Sequence, residues 1–335
     1  MTVLLAQMAE SLSLDVAFLE SIIAQASHLY RKAEIKKRDG GTRPIFIPAP
    51  ELRLLQRWLL RTIVARLPVH ACATAYVAKK GTLDTASPHR KNAFVVRLDV
   101  KQFFPSITAK DINVYWRRRR SVFPAEWTSN DLKIFTKLVC RRGRLTIGAP
   151  TSPSLSNALC IELDLMLSVM AEHRELAYSR YADDMFFSSG SANDLQGLEG
   201  EVAKYLTGLA FPFGLKLNKD KTVLMHKGAQ RRITGLVLTD DEKVAAPREL
   251  RRKIRAMLHQ IDKLTKLDMS RLAGLLAYLK GVDPAALDSL QKQFPRQTRA
   301  ALHPAERSAI ISMLQRERGL RERLRKIAAR RAATA

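Results

Sequence analysis

The stretch "YSRYADDMFFSS", from Tyr178 to Ser189, constrains this chain more than any other. Two carboxylates, Asp183 and Asp184, stand side by side between apolar and aromatic flanks. The flanks read as two strands, Tyr178 to Ala182 and Met185 to Ser188, with Ala182-Asp183-Asp184 at the turn. Aspartate suits a turn because its short side chain bonds nearby backbone. A turn also lets an acid project from a sheet edge while the aromatic arms stay buried. The competing reading is a surface hairpin with two solvated acids.

A second segment shifts the balance. "NAFVVRLDVKQFFPSI" reads as a buried strand ending at Asp99, with Pro105 breaking the pattern. Carboxylates at the ends of two neighbouring strands make one cluster. Clustered acids resist ionisation unless a cation neutralises them. Oxygen-only ligands select hard ions such as Mg²⁺, which takes one or two carboxylates plus substrate phosphates. Two such ions about 4 Å apart clamp the attacking and leaving oxygens of an in-line phosphoryl displacement.

Charge points to the substrate class. Lys and Arg number 57 against 32 acids, a net charge of +25. Such an excess implies a polyanionic partner, and nucleic acid is the first candidate. An acid cluster inside so basic a chain points to nucleic-acid chemistry rather than binding alone. The 46% hydrophobic content supports a packed core and excludes a disordered chain. Cys72, Cys140 and Cys160 form no CxxC pair and no zinc pattern, so they read as buried thiols in a reducing compartment. No apolar run reaches the ~18 residues of a membrane span. No Lys or Arg precedes Arg31, which is wrong for a signal peptide. The expectation is a cytoplasmic protein with no membrane partner.

Residues 2–30 show helical periodicity and read as two amphipathic helices. Asp39-Gly40-Gly41 signals a hairpin joining strands Glu34–Arg38 and Arg43–Pro48. "ELRLLQRWLLRTIVARL" reads as a helix with an apolar stripe and a basic face. Helical periodicity dominates from Ile107 to Arg144, where "WRRRR" begins at Trp116. After a Gly- and Pro-marked loop, Leu155 to Met170 reads as one helix. "FGLKLNKDKTVLMHKG" and "RRITGLVLTDDEKVA" read as strands and turns. From Pro247 the chain is helical and basic: Arg251, Arg252, Lys253 and Arg255 open it, and Arg316 to Arg331 close it. Arg-rich helices suit structured RNA, which offers phosphates and shape rather than a readable major groove.

These segments resemble reverse transcriptases. "YADD" at Tyr181–Asp184 is similar to their polymerase motif C, and "LDVKQFFPSI" to motif A. "GAPTSPSLSN", Gly148 to Asn157, resembles motif B of bacterial retron reverse transcriptases. "RPIFIPAP" and "LNKDKT" extend the resemblance over roughly residues 35–245. It implies an α+β right-hand polymerase: an N-terminal helical extension (1–33) packed on fingers (34–98), a palm with an antiparallel sheet (99–240, with a helical insertion near 108–145), and a basic helical thumb (241–335). It further implies that Asp99 and Asp183 carry two Mg²⁺ ions, with Asp184 completing the cluster and Val100 adding a backbone oxygen. Phe104 matches the aromatic that excludes a ribose 2′-OH. Arg43 and Gly148 match nucleotide-contacting positions, and Lys219 or Lys221 lies near the leaving pyrophosphate.

Two further patterns resemble the retron type. "TASPH", Thr85 to His89, parallels an NAxxH signature, with Thr85 where the family has Asn. "ITG", Ile233-Thr234-Gly235, parallels a VTG triplet that contacts RNA. Ile147 stands where the family usually has Gln. The resemblance implies dNTP substrates and a cognate structured non-coding RNA, contacted by His89, Ile233, Thr234, Gly235, Arg251, Arg252 and Arg255. It also implies a single-stranded DNA product primed from an RNA 2′-OH, and a separate effector protein in anti-phage defence. Another bacterial reverse transcriptase, of the group II intron or diversity-generating type, is the alternative within the class. A nucleic-acid-binding protein that kept the fold and lost catalysis is the alternative outside it.

Overall fold

A computed structural model describes residues 1–36 and 40–302, together with Gly319 and Glu322. The expected hairpin residue Asp39 and, apart from Gly319 and Glu322, the segment 316–331 lie outside the described residues.

The chain opens with two helices, α1 (Val3–Leu12) and α2 (Val16–Gln25). Thr2 and Asp15 cap them, each side chain accepting an N–H from the first turn. Leu4, Leu5, Met8 and Leu12 form the buried stripe of α1, each such side chain contributing about 1.5–3 kcal/mol. Strands β1 (Tyr30–Lys36) and β2 (Thr42–Pro48) form an antiparallel ribbon. The first strand starts at Tyr30 rather than Glu34, because the main chain pairs as far as Pro48. Helix α3 (Pro50–Thr62) follows, then the short α4 (Thr82–Ala86).

Strand β3 (Phe94–Asp99) leads into the short α5 (Phe103–Ser106) and then α6 (Ala109–Arg118) and α7 (Ser129–Val139). Both longer helices begin with a Thr and Asp capping box. Asp131 of α7 also accepts the backbone N–H of Leu4 at 2.8 Å, so one carboxylate caps two helices and seats α1 on α7.

The expected single helix from Leu155 to Met170 is two helices, α8 (Ser152–Leu159) and α9 (Ile161–His173). They bend by 53° at Cys160, whose backbone leaves the helical region. The apolar pattern runs through the bend because each helix buries a face, Leu155 and Leu159 on one and Leu163 and Leu167 on the other. Among the described residues no single helix is long and apolar enough to cross a membrane.

Strands β4 (Ala177–Tyr181) and β5 (Asp184–Ser189), helix α10 (Leu198–Gly208) and strand β6 (Val223–His226) complete the central layer. The sheet order is β4-β5-β3-β6 with every pairing antiparallel. Met185 and Phe187 of β5 join the main core, whereas Phe186 enters a smaller cluster on the opposite face. Burial on both faces explains the unbroken "MFF" run, since alternation is needed only when one face is wet.

That smaller cluster is shared with a three-stranded sheet of β7 (Arg232–Ile233), β8 (Leu236–Leu238) and β9 (Val244–Ala245). The helices α11 (Arg248–His259), α12 (Lys266–Val282), α13 (Pro284–Gln293) and α14 (Pro295–Leu302) then pack around a separate core that includes Ile254, Leu258, Leu276 and Phe294.

Candidate active site

The register of β3 against β5 places Asp99 opposite Asp184 at one end of the sheet. Asp183 sits one residue earlier, in the two-residue turn Ala182-Asp183 between β4 and β5. The backbone ties the strands there: the Val100 N–H donates to the Asp183 carbonyl at 3.0 Å. Three acids therefore occupy one sheet edge without any long excursion of the chain.

Their surroundings differ. Asp99 is nearly buried; its carboxylate accepts from Lys221 Nζ at 3.1 and 3.3 Å and from Asn218 Nδ2 at 3.1 Å. Burial, then the neighbouring Asp99 charge, pushes the Asp183 carboxyl above its ordinary range, with Arg43 and Lys221 opposing. Asp184 is raised to about 6, first by burial and next by Asp183. Arg97 approaches it only at 3.9 Å. At Asp183 and Asp184, burial and the crowding of like charges outweigh the opposing pull of Arg43, Arg97 and Lys221.

Asp99 and Asp183 face a cavity of about 520 Å³. The β2 residues Arg43 and Phe46 line one wall. Val100, Phe104, Ile147 and Lys221 line others. Phe103 is core, whereas Phe104 is half-buried at the cavity wall. Tyr76 completes an aromatic row, its ring centroid 6.5 Å from both Phe104 and Tyr181. Burial and the Asp183 charge raise the Tyr76 hydroxyl's pKa.

The donor set can be tested against a hard cation. Every group that Asp99, Asp183 and Val100 can offer is oxygen, which suits Mg²⁺. The Lys221 ammonium on Asp99 shows that a positive charge is accommodated there. Among the described residues no three His, Cys, Asp or Glu side chains already form a metal cage. One or two carboxylates completed by substrate phosphates is the ordinary Mg²⁺ arrangement, and the residues fit it.

Several expected site residues lie elsewhere. Gly148 does not line the cavity; its φ of +107° and the approach of the Phe46 carbonyl, into which any Cβ would clash, make it a packing glycine between β2 and the α8 loop. Lys219 is exposed and outside the cavity, while its neighbour Lys221 points in. His89 is fully buried and leaves no surface for RNA. Its ring nitrogens bond Ser188 at 2.7 Å and Ser179 at 2.8 Å, pinning the segment before β3 to both arms of the Asp hairpin. Burial lowers its pKa to about 3, so it is neutral. Ile233 is also fully buried, in the small apolar cluster, so its side chain cannot reach RNA. Thr234 is half-buried and Gly235 exposed, both with left-handed φ. Arg252 and Arg255 lie on the outer face of α11 and Arg251 at its margin, opposite buried Ile254 and Leu258.

The sequence reading missed the support behind the turn. Arg180 is fully buried and forks onto Asp164 of α9 with two 2.6 Å bonds. Its remaining nitrogen donates to Asn157 at 3.1 Å and to the Ala182 carbonyl at 3.0 Å. Ala182 has φ +57°, a left-handed conformation that a non-glycine residue adopts only when held. Asn157 in turn donates to the Ala75 carbonyl at 2.6 Å, next to Tyr76. One ion pair thus fixes the acid turn and the aromatic wall. "YSRY" contains the only sequence signal for it, an arginine inside a strand otherwise reading as buried.

An antiparallel sheet with acids at one end, faced by a basic ribbon and an aromatic wall, is polymerase-type architecture. The family described as "Reverse transcriptase (RNA-dependent DNA polymerase)" matches residues 35–244. Retron Mx162 reverse transcriptase of Myxococcus xanthus is 35% identical over 293 residues, covering 78% of this chain and 59% of that protein. Retron Ec83 reverse transcriptase of Escherichia coli is 31% identical, covering 82% of this chain and 89% of that protein. Retron Ec86 reverse transcriptase of E. coli is 30% identical, covering 82% and 83%. Telomerase from Candida albicans superposes with a TM-score of 0.46 at 12% identity, covering 89% of this chain and 60% of that one. The chain belongs to the reverse transcriptase family and, within it, to the retron reverse transcriptases.

Proposed function

We propose that this chain is an RNA-directed DNA polymerase that copies part of a cognate structured RNA into single-stranded DNA. The observation that carries the reading is the convergence of Asp99 and Asp183 on one cavity with Arg43, Phe104 and Lys221. Asp99 and Asp183 would hold two Mg²⁺ ions, with Asp184 adding negative charge behind them. When bound, the ions supply Lewis-acid stabilisation of the oxygens that gain charge in phosphoryl transfer. Arg43 and Lys221 bring positive charge to the triphosphate, and Lys221 leaves Asp99 to do so. Phe104 presents an apolar ring where a ribose 2′-OH would need a partner, which favours dNTPs. Tyr76 and Tyr181 offer faces for a base or sugar.

The C-terminal helical unit, with Arg251, Arg252 and Arg255, would hold the RNA by its phosphates. In this reading the β1-β2 ribbon belongs to the fingers, the four-stranded sheet to the palm and α11 to α14 to the thumb; because β3 starts at Phe94, the palm begins before residue 99. Priming from an RNA 2′-OH, a branched RNA–DNA product, a separate effector in anti-phage defence and a cytoplasmic setting complete the reading by analogy with the retron type.

The nucleic acid that co-purifies with the full chain tests it. A short single-stranded DNA joined to one RNA, released by debranching treatment, is expected. Random RNA fragments alone would overturn the retron assignment. With a primed RNA template, dNTPs and Mg²⁺, the wild type should extend the primer and Asp99→Asn should not. Equal inactivity of the two would sink the polymerase reading.

A further inference from the structure

A second cavity lies behind the loop that follows Asp99. It encloses about 710 Å³ and shares Lys101, Gln102 and Pro105 with the cavity of the acid cluster, so the loop is a common wall. Four cations line it: Lys101, Lys110, Arg144 and Lys216. None of them makes an ion pair among the described residues. They arrive from four separate segments, which no single helix face would produce.

Asp111, the one acid in the lining, does not offset them. It is fully buried, and its oxygens are occupied: one accepts the Phe213 N–H at 2.9 Å, the other the Thr108 N–H at 2.6 Å and hydroxyl at 2.7 Å. The walls are built rather than incidental. Arg144 donates to the Pro105 carbonyl at 2.9 Å, and Ser106 Oγ bonds back to the Lys101 and Gln102 carbonyls at 3.0 Å. Gly214 lies so close to the Ser106 carbonyl that a Cβ would sit 2.7 Å from it. The Lys101 N–H donates to the Lys216 carbonyl at 2.8 Å, which holds those two cation-bearing segments side by side.

Convergent cations in a concave pocket suit a compact polyanion, whereas an extended strand suits a long basic stripe. We propose that this second cavity is a polyphosphate pocket, taking the triphosphate group of the nucleotide on its way in or the pyrophosphate on its way out. The proposal extends the reading of the first cavity as the nucleotide site. Lys101, common to both, is the hand-over point.

Binding without turnover separates the two claims. Inorganic pyrophosphate is titrated calorimetrically into the full chain, without divalent ions, RNA or dNTP. Lys110→Gln/Lys216→Gln changes two exposed side chains outside the first cavity, and an unchanged melting midpoint checks its fold. At least tenfold weaker pyrophosphate binding is expected in the double variant, with affinity for single-stranded RNA held within twofold. Unchanged binding in the double variant overturns the pocket, as does a loss confined to RNA affinity, which would make this face a nucleic-acid surface. In primer extension, a raised pyrophosphate inhibition constant at constant KM assigns the exit route, and a raised KM for dNTP assigns the entry route. A wild type that binds pyrophosphate but never extends a primer would sink the polymerase reading and leave the pocket standing.

Discussion

Two charged groups lie within a few residues of each other and behave oppositely. Arg180 and Asp164 are fully buried, forked together and saturated with hydrogen bonds. Asp183 and Asp184, three and four residues beyond Arg180, are pushed toward protonation first by burial and then by crowding among the acids. The first pair is closed and serves as scaffold. The second stays raised toward its neutral form despite Arg43, Arg97 and Lys221, and a bound cation would relieve it. The contrast teaches that a rigid neutral core can hold an unstable charge cluster at its edge, ready for a ligand.

The largest effect that sharpens this contrast is on the scaffold. Asp164→Asn leaves the Arg180 charge buried and unpaired, and should lower the unfolding free energy by about 3–5 kcal/mol in denaturant titration. Replacing both partners, Arg180→Met with Asp164→Leu, should restore most of that stability. Extension should stay impaired, because nothing then holds the Ala182 carbonyl. Full activity in the double variant would show that the fork is structural only.

A smaller effect concerns the aromatic wall. Phe104→Ala should reduce discrimination against ribonucleotides by about 10–100-fold, read as the ratio of kcat/KM for dNTP and NTP. Unchanged selectivity would place the sugar gate elsewhere, with Tyr76 the next residue to test.

The smallest effect is a pH dependence. The Asp184 carboxyl titrates near 6 when folded, above its ordinary 3.8. The folded chain therefore holds more protons than the unfolded one between these values, and stability rises as pH falls through 6. After solvent screening the gain is on the order of 1 kcal/mol. Denaturation midpoints at pH 7.5 and 5 without divalent ions should show it in the wild type and lose that share in Asp184→Asn. Identical pH slopes would mean that Asp184 is not strained.

The acids were legible in the sequence because charge stands out against apolar flanks: Asp99 and Asp184 sit at the ends of apolar strands, and Asp183 in the turn between two aromatic arms. The ribbon, the two N-terminal helices and the sheet strands were legible for a similar reason, local patterning. What was not legible is long-range. Arg180, on strand β4, finds Asp164 sixteen positions earlier on helix α9, and no local pattern announces that pairing. The bend at Cys160 is hidden by an apolar run that continues through it. His89 and Ile233 carry retron signatures in the sequence, yet the fold spends both in the interior. Tyr76 sits at φ +60° in an irregular segment, where periodicity has nothing to say.

The central claim is that the edge acids serve chemistry and the buried pair serves the fold. Asp183→Asn tests it most directly, with RNA-templated extension and thermal melting measured on one preparation. Extension should fall by at least about 100-fold, while the melting midpoint stays at or above that of the wild type because one repelling charge is gone. Extension at the wild-type rate, or a melting loss as large as that of Asp164→Asn, would contradict it.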